Sequence, residues 1–208
     1  MGTATRKMEK KIRSIIKDKP NIDLSSNDFS DIVFKNIRMK KYFNSDFGII
    51  SSGGISFVKK IKSEGINNII DEDLDLTDPI DVSTLVQKIL DTIHEQSNID
   101  VTGSSILLDA FKTTMADQIL NKSYDTEKFL SRFCQNVIFL ILSEEWMEVL
   151  IEERNDNPEK IKQSLQQIAN KIVVEKLSAI IKKYNTGAIS AQEMIQAIID
   201  IQNDTKIW

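Results

Sequence analysis

The run Glu127 to Arg154, EKFLSRFCQNVIFLILSEEWMEVLIEER, constrains what this chain can fold into more than any other, because apolar residue is nowhere so concentrated. Phe129, Leu130, Phe133, Cys134, Val137, Ile138, Leu140, Ile141, Trp146, Met147, Leu150 and Ile151 recur at steps of three and four, the spacing of one face of a helix. Between Val137 and Leu142 every side of such a helix is apolar. A helix apolar all round is surrounded by protein or by lipid. That stretch falls far short of the roughly 18 residues a bilayer span requires. The run therefore predicts one central core helix. Each large side chain it buries contributes roughly 1.5 to 3 kcal/mol, and its aromatics are expected to be core rather than a cofactor pocket.

The other periodic segments are arranged around it. Met8, Ile12, Ile15 and Ile16 share one face of a short basic helix whose other faces carry Arg6, Lys7, Lys10, Lys11, Arg13 and Lys17, and Pro20 marks its end. Ser25, Ser26, Asn27 and Asp28 offer caps for a second helix through Phe29, Ile32, Val33, Ile37 and Met39, with Arg38, Lys40 and Lys41 crowding its end. Asp78 as cap and Pro79 as first residue start a third, with Val82, Leu85, Val86, Ile89, Leu90 and Ile93 inward; Ser97 to Gly103 closes it. A fourth begins near Ser104 and carries Leu107, Leu108, Phe111, Met115 and Ile119 on one side. After the core helix, Asn157 and Pro158 open a helix of about 27 residues, periodic from Ile161 to Tyr184. Gly187 supplies its left-handed stop. Ser190 with Glu193 forms a capping box, Ile189 with Met194 the matching hydrophobic staple, and the last helix runs to about Gln202.

Two stretches do not follow this rhythm. From Asn44 to Gly65, Gly48, Gly53, Gly54 and Gly65 punctuate FGIISSGGISFVKKIKSEG, and Ser52, Gly53 and Gly54 between short apolar runs predict a small hairpin. No glycine is followed directly by the lysine and hydroxyl pair of a phosphate loop, so ordinary turn chemistry is the expectation. The acidic run DEDLDLTDP, Asp71 to Pro79, lacks the glycine and closing glutamate of a calcium loop and reads as a solvated linker. The fold class expected is all-α, a bundle of about seven helices with a small irregular glycine-containing patch near residues 44–70. Its parts are a basic N-terminal lobe, 1–70, an acidic linker, 71–78, and a helical body, 79–208; lobe and body are either separate or packed into one domain.

Residues that carry chemistry are scarce. Cys134 is the single cysteine and lies in the most apolar run, so it reads as buried filler, and an intrachain disulfide is excluded. With His94 the single histidine, zinc sites of cysteine and histidine are excluded; His94 itself follows Leu90 and Ile93 and reads as a helix-surface residue. In KKYNTGAISAQE, Gly187, Ile189 and Glu193 sit where a calcium loop has its glycine, apolar residue and glutamate. Lys182 and Tyr184 occupy the first and third ligand positions, which need anionic oxygen donors. Glu144 and Glu148, one turn apart, read as the polar side of a packed helix. No catalytic, cofactor-binding or metal-binding residue is assigned, and no cofactor is expected.

Charge is unevenly spread: residues 1–62 carry a net +8, 63–109 a net −10 and 110–208 a net −2. Such polarity bears on partners rather than on fold. Either the first two segments neutralise each other, or the basic one meets a polyanion through Lys10, Lys11, Arg13, Lys17, Arg38, Lys40 and Lys41. No aromatic is interleaved in the first helix to stack on bases. The absence of an apolar leader or long apolar run makes the expected location cytoplasmic, with no transmembrane segment.

The stretch VEKLSAIIKKYNTGAISAQEMIQAIIDI, Val174 to Ile201, resembles the terminal helical region of type I restriction enzyme R subunits, where a long helix ends in a similar Tyr-Asn-small-Gly turn before a capped helix. NIDLSSNDF, Asn21 to Phe29, is similar to another segment of that region. The helicase and nuclease residues of those subunits are absent here, so the resemblance implies no catalytic residue. It implies a docking module that holds a motor subunit to its methyltransferase partner. The function expected is a non-catalytic helical interaction or assembly module, with a protein partner docking at Lys182, Lys183 and Gln196; the alternative is nucleic-acid binding through the basic N-terminal region.

Overall fold

The computed structural model describes residues 3–66, 75–97 and 105–204, with side chains from Arg6 onward. Its elements are α1 (Thr3–Asp18), α2 (Asn27–Asn36), α3 (Met39–Tyr42), α4 (Ser45–Glu64), α5 (Pro79–Ser97), α6 (Ser105–Leu120), α7 (Thr126–Glu145), α8 (Met147–Arg154), α9 (Pro158–Ile172), a π-turn (Val173–Leu177), α10 (Ser178–Asn185) and α11 (Ala191–Asp204). No strand occurs among the described residues. The all-α class holds. Asp71 to Leu74 of the expected acidic linker and residues 98–104 of the following loop lie outside the described residues.

The helices outnumber the seven expected, for reasons that can be located. The expected core helix is divided at Trp146, whose φ of −116° departs from helical while its N–H still bonds Leu142 O at 2.8 Å. The long helix after Pro158 passes through the π-turn, in which Val174 stands exposed at 58%. The second helix stops at Asn36, and Arg38, at φ −89° and ψ 61°, separates off the single turn of α3. Most consequentially, Ser45–Glu64 of the expected irregular patch is the 20-residue helix α4, with no hairpin at Ser52 to Gly54, while residues 67–70 of that patch lie outside the described residues.

The glycines that suggest a turn serve close packing instead. A Cβ on Gly54 would stand 2.2 Å from Phe129 Cζ and 3.0 Å from Phe111 Cε2; one on Gly53 would stand 2.7 Å from Ile93 Cγ1. Glycine within a helix costs roughly 0.5 to 1 kcal/mol against alanine. Here that cost accompanies an aromatic ring seated directly on the α4 backbone. Asn44 starts the helix by accepting from the N–H groups of Asp46 and Phe47.

α7 lies at the centre, touching α1, α4, α6, α8, α9, the π-turn and α10. Phe133 stacks on Phe47 of α4 at 5.1 Å between ring centroids, and Phe129 meets Phe111 of α6 edge-on at 6.0 Å. Aromatic pairs in such geometries add roughly 0.5 to 1.5 kcal/mol beyond the area they bury. Residues of 1–70 and of 79–208 contribute to one buried cluster, from Ile12 and Phe29 through Leu90 to Ile198. The last helix closes it: Gln202 Nε2 donates to the carbonyls of Phe34 and Ile37, supplying donors at the C-terminal end of α2.

Candidate functional site

α4 presents two opposed faces. Phe47, Ile50, Gly54, Val58 and Ile61 turn inward. Ser45, Gly48, Ile49 and Ser52 follow one another at helical spacing on the opposite side, and with Gly53 they form one wall of an open groove of about 810 Å³. α5 gives the second wall through Ile93, Gln96 and Ser97, and α11 the third through Ala191, Gln192, Ile195 and Gln196. Small residues on α4 let the groove reach the helix backbone, and isoleucines from three helices make its floor apolar. Glutamines and serines rim it. No ionisable side chain is among the described residues that line it.

Along the same face of α4 the groove passes, at Ser52, into an annex of about 300 Å³ lined also by Ile55, Lys59, Tyr184, Asn185, Thr186 and Gly187. Tyr184 Oη and Ser52 Oγ lie 2.7 Å apart and join α10 to α4. Asn185 Oδ1 is buried without a hydrogen-bond partner. The annex exists because α10 ends where the sequence predicts. Gly187 has φ +74°, Ala188 N–H bonds Lys183 O, and the Ser190 and Glu193 box closes with Ser190 N–H to Glu193 Oε2 at 2.7 Å and Glu193 N–H to Ser190 Oγ at 3.2 Å. Those bonds hold the Glu193 carboxyl below the usual range, the Ser190 backbone N–H first.

Of the expected docking residues, Gln196 lines the groove, while Lys182 and Lys183 stand exposed on the last turn of α10, next in sequence to the annex. Of the seven basic residues, Arg13, Lys17, Arg38 and Lys41 have partners within the chain. Arg13 pairs with Glu152 and Glu153 of α8 and with Glu9, which together raise its pKa, and Lys17 lies 4.0 Å from Glu153. Arg38 is engaged at the end of α7, where its Nε donates to Glu145. Lys41 bonds Tyr42 Oη at 2.8 Å. Lys10, Lys11 and Lys40 are exposed. The carboxylates paired with Arg13 and Arg38 thus belong to α1, α7 and α8, not to the acidic stretch 63–109.

The pairing of Arg38 with the buried Glu145 is a feature that sequence reasoning misses. Burial pushes the Glu145 carboxyl up, and Arg38 pulls it part of the way back. Glu145 falls one turn after Ile141 and Leu142, on the core-facing period, which is the signal by which it is legible. Its Oε2, the indole N–H of Trp146 and the hydroxyl of Ser30 are buried without partners. Cys134 is fully buried and burial pushes its thiol up to about 12, so it is no nucleophile at neutral pH. His94 is half-buried, with Nε2 lacking a partner. Among the described residues no group of acidic, cysteine or histidine side chains is placed to hold a metal, and no helix is long and apolar enough to cross a membrane.

Comparison of the chain with protein-family models, with curated proteins and with solved structures finds no match in any of the three.

Proposed function

We propose that this chain is a non-catalytic helical interaction module that seats an apolar segment of a partner protein in the groove between α4, α5 and α11. The observation that carries the reading is the groove itself: about 810 Å³, open, floored by Ile49, Ile93 and Ile195, with no ionisable side chain among the described residues that line it. Water gains little from such a surface, and apolar partner residues placed on it contribute about 25 cal/mol per Å² removed from solvent. The hairpin that resembles the R-subunit terminal region supplies one wall, so the docking role implied by that resemblance and the groove concern one surface.

Affinity purification of the tagged chain, followed by light scattering on the eluate, tests the reading. A stoichiometric protein complex that the substitution Ile49→Glu abolishes, with the variant still folded, supports it. A chain recovered alone, or a complex indifferent to Ile49→Glu, contradicts it. The exposed Lys10, Lys11 and Lys40 favour a second reading, retention of nucleic acid through the N-terminal helices. Exchange of Lys10, Lys11, Arg13 and Lys17 for glutamine decides between them. Loss of a retention that falls steeply with salt supports the second reading, and an unchanged protein complex supports the first.

A further inference from the structure

Apart from the groove, a crevice of about 450 Å³ lies between the end of α6, the first half of α7 and α9, and every side chain lining it is polar or charged. Its volume is that of a small-molecule site, roughly 300 to 1,000 Å³. One wall is a single stripe of α7, since Lys128, Ser131, Arg132 and Gln135 follow at i, i+3, i+4 and i+7. Asp117 and Gln118 of α6 stand across from it, with Ser123 from the loop between the two helices.

Gln118 is only 3% exposed, and its Oε1 accepts from the Asp125 N–H at 3.3 Å. Its Nε2 donates to no described group, yet it is not shut away from solvent, so the amide N–H groups open on the crevice. Lys128 has no ion-pair partner among the described residues. Arg132 is loosely held: Nη1 donates to Gln135 Oε1 at 3.1 Å, and Nε lies 3.9 Å from Asp117 Oδ2. Asp117 is the single carboxylate of the lining, and its Oδ1 already accepts from Asn121 Nδ2 at 2.8 Å. Donors therefore outnumber free acceptors, and positive charge outweighs negative. The N-terminal end of α7, where Lys128 sits, adds its dipole in the same sense.

A group that answers this lining accepts from several directions and brings more than one negative charge. Phosphate does so, with a charge of about −1.5 to −2 at neutral pH and three strong acceptor oxygens. A carboxylate, singly charged with its two oxygens in one plane, leaves donors of one wall unmet. We propose that this crevice binds the phosphate group of a small phosphorylated molecule. Lys128 and Arg132 take its charge, and the Gln118 amide with the hydroxyls of Ser123 and Ser131 directs its oxygens. Asp117 works against the anion and moderates its affinity. The crevice has no aromatic side chain on which a base could stack, and Asp125 and Glu127, beside Lys128 in sequence, repel a long polyanion.

Titration of the full-length protein with pyrophosphate and with inorganic phosphate, followed by calorimetry and phosphorus NMR at constant ionic strength, tests the site. Saturable binding in the millimolar range or tighter is expected. Lys128→Gln and Arg132→Gln should each weaken it about tenfold, the loss of a hydrogen bond to a charged group. Asp117→Asn should tighten it about threefold. These three side chains are exposed or half-buried, so their variants keep the fold. Gln118→Glu keeps the acceptor for the Asp125 N–H but replaces the amide donor by a carboxylate, and should abolish binding with the urea midpoint showing a folded chain. Ile49→Glu in the groove should leave phosphate binding unchanged, so this site and the interaction-module reading stand or fall separately. Binding no stronger than that of chloride, or indifferent to Lys128→Gln, overturns the proposal. So does a single-stranded oligonucleotide, or a vesicle of anionic lipid, that binds more tightly than pyrophosphate and is displaced by it, because the phosphate then belongs to a polymer or a membrane.

Discussion

α4 and α7 are equal in length, 20 residues each, and lie against one another, yet they build the core in opposite ways. α7 brings volume: Phe129, Phe133, Val137, Ile138, Ile141 and Leu142 are all without exposure. α4 brings room as well as volume, setting Phe47 and Ile50 into the core but withdrawing every side-chain atom where Phe129 arrives at Gly54. The ring thereby reaches the α4 backbone. Interiors are packed like organic crystals, so the place of a missing side chain is as determined as the place of a large one. The same use of small residues on the outer face, at Ser45, Gly48 and Ser52, leaves the groove open.

If α7 and its continuation supply the bulk, removing the largest buried ring gives the largest effect. Trp146 is fully buried, and its indole N–H has no partner to lose. Trp146→Ala is expected to cost about 3 to 5 kcal/mol, read as a lowered urea midpoint at unchanged slope. An unmoved midpoint breaks the comparison on the α7 side.

The α4 side is sharpened by its own glycines. Gly54→Ala is expected to lower stability by about 1 to 3 kcal/mol through overpacking, although alanine is the better helix former. Gly48→Ala meets the flexible end of Ile195 at 3.2 Å and Ala191 Cβ at an ordinary contact distance of 3.5 Å, and should be neutral or stabilising by up to about 1 kcal/mol. Equal responses at the two positions remove the distinction between the faces. Gly187 differs from both, since nothing stands within 4 Å of an added Cβ and only its φ of +74° restricts it. Gly187→Val should cost more than about 1 kcal/mol by backbone strain alone, and Ser190→Ala about 1 kcal/mol by loss of the cap. Chemical denaturation of both variants checks these values.

The smallest expected effects concern pH, and two glutamates set opposite signs. Glu145 at the end of α7 is raised by burial, so the folded chain holds its proton more tightly than the unfolded one. Stability from this group therefore falls as pH climbs above the ordinary glutamate value of about 4.3 toward the folded value. Glu193, held down by Ser190, stabilises above that ordinary value and loses the contribution as pH falls through its folded value. Urea midpoints between about pH 3 and about pH 7 should lose the first trend in Glu145→Gln and the second in Glu193→Gln. A Glu145→Gln profile parallel to the parent contradicts the buried pair.

The hairpin of α10 and α11 is legible in the sequence because its determinants are local: a glycine stop, a capping box and an apolar stripe lie within a few residues of one another. Asp78 before Pro79 and Asn157 before Pro158 are legible for the same reason, and both accept from the first turn as expected. α4 is not, because its glycines have turn chemistry in isolation; their reason lies in Phe129, 75 positions beyond Gly54 along the chain. The division at Trp146 and the pairing of Glu145 with Arg38, 107 positions away, likewise depend on tertiary neighbours. The groove is half visible. Gln196 belongs to the legible hairpin, while the small-residue wall of Ser45, Gly48 and Ser52 is hidden inside the expected turn.

A double-mutant cycle on Gly54 and Phe129 tests most directly whether α4 yields the space that α7 fills. Phe129→Leu alone opens room, Gly54→Ala alone overfills it, and the pair should be closer to the parent than the two single losses together imply. The expected coupling is about 1 kcal/mol or more, the range found for residues in contact. Losses that add to within about 0.3 to 0.5 kcal/mol, the behaviour of independent sites, would contradict the account.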